Sequence, residues 1–153
     1  MKSDTEGFFQ DAWPSGTCYG CGPANLEGIQ LKSRWSEDGR FAVAQLQVNA
    51  KYNAGLPNTM YGGTVASLID CHSVWTAIAE TYRQEGREYG SAPLIRCVTG
   101  RLTVEYLKAT PLDVPVYLKA WVEGPVGRKT RVLSELGAGN IVTAKGDVIA
   151  VRI

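Results

Sequence analysis

Gly62-Gly63-Thr64-Val-Ala-Ser-Leu-Ile-Asp70-Cys-His-Ser-Val-Trp-Thr-Ala-Ile-Ala79 is the stretch that decides how this chain folds. From Thr64 to about Arg83 it contains neither Gly nor Pro, and its apolar positions cover nearly the whole helical circumference instead of one stripe. That pattern predicts a helix roughly 30 Å long at ~1.5 Å per residue, and a helix apolar all round must be enclosed. Asp70 is the exception inside it. A carboxylate between Leu68, Ile69, Val74 and Trp75 either loses much of its hydration or faces a cleft.

Outward from this helix the periodicity changes to that of strands. Before it, Ile29 to Trp35 alternates, breaks at Ser36-Glu-Asp-Gly39 and resumes from Phe41 to Val48, which predicts a β-hairpin. Asn49 to Tyr61 is a turn-rich connection with Asn53, Gly55, Pro57 and Asn58. After it, strands are predicted at Leu94–Tyr106, Val114–Val122, Arg128–Leu136 and Ile141–Arg152, joined in sequence by antiparallel connections. The expectation is one α+β domain spanning residues 1–153, with an irregular segment over residues 1–27 and a curved antiparallel sheet wrapped around one long helix.

Composition narrows the function classes. With 16 Lys+Arg against 15 Asp+Glu the net charge is +1, so no global field favours nucleic acid or an anionic membrane. No apolar run approaches the ~18 to 20 residues of a membrane span. In the first twenty residues Asp4, Glu6 and Asp11 interrupt any leader-like core, so a soluble, cytoplasmic protein is expected. Cys18, Cys21, Cys71 and Cys97 are too few for a disulfide scaffold and are expected reduced. Cys18-x-x-Cys21 lacks the second pair that a four-ligand zinc site needs, so it reads as a tight structural turn and no metal is expected. His72, the only histidine, lies about 200° around the helix from Asp70 and is expected in the core or an interface, not in a dyad with it.

The Gly-Gly entry suggests chemistry. Two glycines allow close approach of a ligand to the backbone, and the first N–H groups of a helix lack intrahelical partners. A carbonyl docked there would have its developing oxyanion stabilised, and Asp70, two turns on, could attack the carbonyl or take a proton from water. Acyl transfer is what this arrangement suits; a mere tight turn with a structurally paired Asp70 is the competing reading.

Tyr61-Gly-Gly-Thr-Val-Ala-Ser-Leu-Ile-Asp70 resembles the signature of hotdog-fold acyl-CoA thioesterases of the phenylacetate-pathway and 4-hydroxybenzoyl-CoA type, in which His-Gly-Gly is followed along the helix by Leu-x-Asp/Glu. Cys18-Tyr-Gly-Cys-Gly-Pro-Ala-Asn-Leu-Glu-Gly28 is similar to the opening of many members, and the likeness continues through Val104–Ala109 to the Gly127-Arg-Lys-Thr130 corner. The resemblance implies a hotdog fold and hydrolysis of an acyl-CoA to a carboxylic acid and free CoA. It makes Asp70 the catalytic carboxylate and the Gly62 N–H, alone or with Gly63, the donor to the thioester carbonyl. Asn53, or else Asn58, would position water, and Thr99 falls where relatives carry a strand hydroxyl. Tyr61 replaces the signature histidine with a phenol that does not titrate near neutrality.

The resemblance also implies a homodimer or homotetramer, with Gly62 and Asp70 of one site contributed by different subunits. CoA phosphates call for cations at the pocket mouth, for which Lys108, Arg128, Lys129 and Arg131 are candidates, with an ordinary solvated surface as the alternative for each. No cofactor is expected beyond the CoA of the substrate. Trp75, Tyr82 and Tyr106 either line an aromatic pocket or pack the core. Two rival functions are a non-catalytic acyl-CoA binder and a hotdog dehydratase or hydratase, the latter disfavoured because no histidine precedes the helix.

Overall fold

The computed structural model describes residues 7–153. Asp4 and Glu6, which entered the reading of the first twenty residues, lie outside them. After a 3₁₀ turn at Phe9–Ala12 come β1 (Arg34–Trp35), β2 (Ala42–Leu46), the helix α1 (Gly62–Gln84), β3 (Cys97–Tyr106), β4 (Val116–Val122), β5 (Lys129–Ala138) and β6 (Ile141–Arg152). The strands form one antiparallel sheet in the order β1-β2-β4-β5-β6-β3, curved around α1, which is the expected hotdog fold.

The all-round apolar pattern of α1 has its structural counterpart: from Gly62 to Tyr82 no residue is exposed. Val65, Leu68 and Ile69 pack with Leu118, Leu136 and Val148 of the sheet. Each such side chain fully removed from water contributes about 1.5–3 kcal/mol before entropy is counted. On the other side the helix is covered by the N-terminal segment, which is irregular as expected but firmly seated. Within it, the buried Gln10 side chain donates to Ser33 Oγ at 3.1 Å and accepts the Ser33 N–H at 2.7 Å. Ser33 Oγ in turn meets His72 Nδ1 at 2.8 Å. At the far end the Arg87 N–H reaches Tyr82 O and the Gly86 N–H reaches Arg83 O, with Gly86 at φ +63°, so a Schellman turn ends the helix. Among the described residues no helix is long and apolar enough to cross a membrane.

Two expectations need correction. The hairpin before the helix is shorter than the Ile29–Trp35 and Phe41–Val48 alternation suggests. Its first arm is drawn away from β2, because the Ile29 and Leu31 N–H groups bond to Tyr19 O and Gly20 O, with Gln30 between them at φ +57°. Only Arg34 and Trp35 remain to pair with β2. The later strands are also not all joined as neighbours, since β3 pairs with β6 at the sheet edge and the chain crosses the end of the sheet to reach β4. The Leu107 and Lys108 N–H groups both bond to Thr143 O, and Thr110 O accepts the Met60 N–H, so this crossing is held by main-chain bonds that the strand alternation does not encode.

The helix packs tightly against the sheet at Gly146 of β6, where an added Cβ would collide with Ile69 Cγ2 and Ser134 Oγ. Gly146→Val should therefore overpack this seam and lower the unfolding free energy by about 1–3 kcal/mol in urea titration, with the denaturant slope unchanged.

Candidate active site

Asp70 leaves α1 toward β3. Its Oδ1 accepts the Thr99 hydroxyl at 2.6 Å, which makes Thr99 the side chain that orients the carboxylate. A register shift between Thr99 and Arg101 places a bulge at Gly100, where a Cβ would lie 2.7 Å from Val151 Cγ2. The bulge lets Thr99 face the helix in the row Thr99–Ala150–Thr130 while Arg101 faces outward. Burial raises the Asp70 pKa, the Thr99 hydrogen bond lowers it and the charge of Cys18 raises it, with the net shift upward.

Asp70 and Thr99 border a cavity of about 280 Å³ whose walls are otherwise mostly apolar. Val74, Trp75, Ile78 and Tyr82 of α1 form one wall, Leu94 to Val98 a second and Trp13 to Pro23 the third. Trp75 and Tyr82 thus line the Asp70 cavity, whereas Tyr106 lies outside it and donates to Gly62 O at 2.7 Å. The contribution of Trp13 was not readable from the sequence, because its segment carries no periodic pattern, and Leu94 and Ile95, expected within a strand, precede β3, which begins at Cys97.

Gly62 and Gly63 lie elsewhere. Asp70 lies eight residue steps along the helix from Gly62, about 12 Å of axial rise, so within one chain the two cannot act on one carbonyl. Among the described residues the N–H groups of Gly62 and Gly63 meet no acceptor, while Thr64 and Val65 both donate to Tyr61 O. At Gly63 a Cβ would sit 2.5 Å from Tyr61 Cε1, so the exposed Tyr61 ring covers this glycine. At Gly62 a Cβ would meet only Tyr106 at 3.5 Å, ordinary contact, so the chain's own packing does not demand a glycine there. Gly62 instead borders a second, open depression with Tyr106, Leu107 and Lys108.

The two candidate asparagines are engaged in their own loops. Asn53 donates to Ala50 O at 3.1 Å and accepts the Gly55 N–H, closing a turn, and neither it nor Asn58 lines the Asp70 cavity. Asn58, at φ +48°, accepts the N–H groups of both Leu112 and Asp113 at 2.9 and 3.0 Å, tying the connection before the helix to the crossing segment. His72 is fully buried in the core. Its Nε2 faces Ala42 O at 3.1 Å and must donate there, so Nδ1 accepts from Ser33, and burial lowers the pKa of the ring to about 4.

Of the four candidate cations, Arg131 is bound bidentately to Asp147 at 2.7 and 3.0 Å on the outer face of the sheet. Arg128 and Lys129 are exposed, and Lys129 stands in one cross-strand row with Val151 and Val98, the last of which borders the Asp70 cavity. Lys108 is exposed beside Gly62. The expected tight turn at Cys18-x-x-Cys21 is present, closed by the Gly22 N–H on Cys18 O at 2.8 Å, and a further thiol meets it. Cys71 of α1 joins Cys18 and Cys21, bringing three sulfurs within 4.8 Å of one another, a grouping that sequence separation concealed.

No protein-family model matches the chain, and no curated protein matches it. Among solved structures it is similar to a thioesterase superfamily protein from Shewanella loihica PV-4, with 30% identity, a TM-score of 0.66 and coverage of 86% of this chain and 97% of that one. A protein from Bacillus halodurans crystallised with CoA shares 21% identity at a TM-score of 0.61, over 81% of this chain and 74% of that one. A mutant hypothetical thioesterase protein from Streptococcus pneumoniae shares 15% at 0.60, over 73% and 82% respectively. The last two are likenesses of fold.

Asn58→Ala should destabilise the fold by about 1–3 kcal/mol, since it orphans the N–H groups of Leu112 and Asp113. Thermal denaturation checks this, and Asn53→Ala, whose bonds lie at the exposed surface, should cost less.

Proposed function

The chain belongs to the thioesterase superfamily, and from that premise we propose that it hydrolyses an acyl-CoA to a carboxylic acid and free CoA, with Asp70 as the working carboxylate. The observation that carries this reading is the placement of Asp70, half-buried and oriented by Thr99, at the edge of an apolar cavity of about 280 Å³ suited to an acyl group. Thr99 occupies Oδ1, leaving Oδ2 to take a proton from water, and the upward pKa shift makes that carboxylate a better base. The water oxygen bonds to the thioester carbon, the C–S bond breaks, and the leaving sulfur takes the proton back to give the CoA thiol. No imidazole borders the cavity, since His72 is held in the core, which speaks against the hydratase alternative.

The site is proposed to be completed by a second copy. Three observations support this. The unpartnered Gly62 and Gly63 N–H groups are too far from Asp70 in one chain, Gly62 has no internal reason to lack a side chain, and the edge strand β3 leaves Val98, Leu102 and Tyr106 exposed at 47%, 37% and 53%. A partner pairing along β3 would close that edge and bring its helix N-terminus toward Asp70. The thioester oxygen would then face two N–H groups at the positive end of a helix. CoA in the Bacillus halodurans structure supports the same ligand class here, and of the four candidate cations Lys108, Arg128 and Lys129 have no carboxylate partner among the described residues.

Wild type should release free thiol from at least one member of an acyl-CoA panel, detected with a thiol reagent, and Asp70→Asn should lose about 10²-fold or more. Equal rates for the two proteins overturn the mechanism, and tight binding of CoA esters without thiol release leaves the non-catalytic binder as the function. Gly62→Val and Asp70→Asn, each inactive alone, should on co-refolding recover roughly a quarter of wild-type activity, because half the dimers are mixed and each mixed dimer holds one intact site.

A further inference from the structure

Three thiols converge where the N-terminal segment crosses α1, and the hydrolytic chemistry uses none of them. Cys18 Sγ lies 3.8 Å from Cys71 Sγ, and both lie within 4.8 Å of Cys21 Sγ. A tetrahedral zinc–thiolate centre, with Zn–S bonds of about 2.3 Å, places its sulfurs about 3.8 Å apart. The existing spacing therefore needs adjustments of an ångström or less.

The surrounding chain is shaped to this convergence. Gly20 has no side chain where a Cβ would lie 2.5 Å from Cys71 Sγ, so only glycine lets the loop close onto the helix cysteine. The Trp75 indole N–H donates to Cys21 Sγ at 3.2 Å. Donors aimed at sulfur stabilise thiolates and orient them as ligands. Cys18 Sγ and Cys71 Sγ are in hydrogen-bond contact, and either thiol can donate in it. Cys18 is exposed and gives an ion a path in, whereas Cys21 is buried. A set of three differs from a redox pair, in which Cys21 would have no part.

We propose that Cys18, Cys21 and Cys71 form a binding site for one thiophilic divalent cation, Zn²⁺, with its fourth position open to the cavity that Asp70 borders. On binding, three Zn–S bonds form, the thiol protons still present pass to solvent, and no electron is transferred. The site does not depend on the hydrolase reading, because its occupancy is read without turnover.

The full chain, purified reduced and free of metal, is titrated with Co²⁺ as the optical probe. One Co²⁺ per chain should bind with sulfur-to-metal charge-transfer absorption in the near ultraviolet, and Zn²⁺ should displace it. Cys18→Ser and Cys71→Ser should each weaken uptake by at least the roughly 10- to 100-fold that loss of an outer partner costs, while Cys97→Ser leaves it unchanged. X-ray absorption on the loaded wild type keeps the test valid if a serine variant fails to fold. Three sulfur neighbours at about 2.3 Å uphold the site, and one or none overturns it. No charge-transfer band in the reduced wild type, undiminished uptake by folded Cys71→Ser, or a Cys18–Cys71 disulfide whose reduction restores no binding would equally overturn it.

Discussion

Everything in this molecule depends on enclosing one helix that has no polar face to offer water. A helix with an apolar stripe can lie on a sheet and leave its back exposed; α1 cannot. The sheet covers one side through Leu118, Leu136 and Val148, and the residues before β1 cover the other. That second covering is made of turns, so it is secured by discrete polar anchors. The Gln10–Ser33–His72 chain fixes one of them, and the main-chain bonds from Ile29 and Leu31 to Tyr19 and Gly20 fix another. Both work at no cost in buried unsatisfied groups, since each atom in them is paired.

Enclosure also explains why chemistry gathers where it does. A carboxylate on a wholly enclosed helix must sit at a seam between coverings, and Asp70 lies at the seam between the N-terminal segment and β3. The seam supplies a cavity, a hydroxyl from Thr99 and partial desolvation together. The three cysteines occupy the same seam one residue further along the helix, so the acidic and the sulfur-bearing groups are neighbours by the same geometric necessity.

What the sequence made legible was whatever repeats or breaks a pattern. The absence of Gly and Pro from Thr64 to Arg83 located the helix, the alternation located five of the six strands closely, and the carboxylate and double glycine stood out as the two halves of the proposed site. What it concealed depends on groups distant in sequence. The main-chain bonds that pull Ile29 and Leu31 from β2 leave no trace in hydrophobic alternation, and neither does the crossing that places β3 beyond β6. Cys71 looked isolated because its partners are 50 and 53 positions away, joined to it only by the fold. The loop asparagines were legible as turn formers, and the bonds of Asn53 and Asn58 fit that reading.

The third wall of the Asp70 cavity, Trp13 to Pro23, belongs to no helix or strand. Changes in its side chains that keep the main-chain bonds of Tyr19 and Gly20 would reshape the space beside the carboxylate while leaving β2 to β6 paired as they are. The shape of the cavity thus depends on side chains that lie outside the sheet. Descendants of such a sequence can diverge in what they accept while their architecture stays the same.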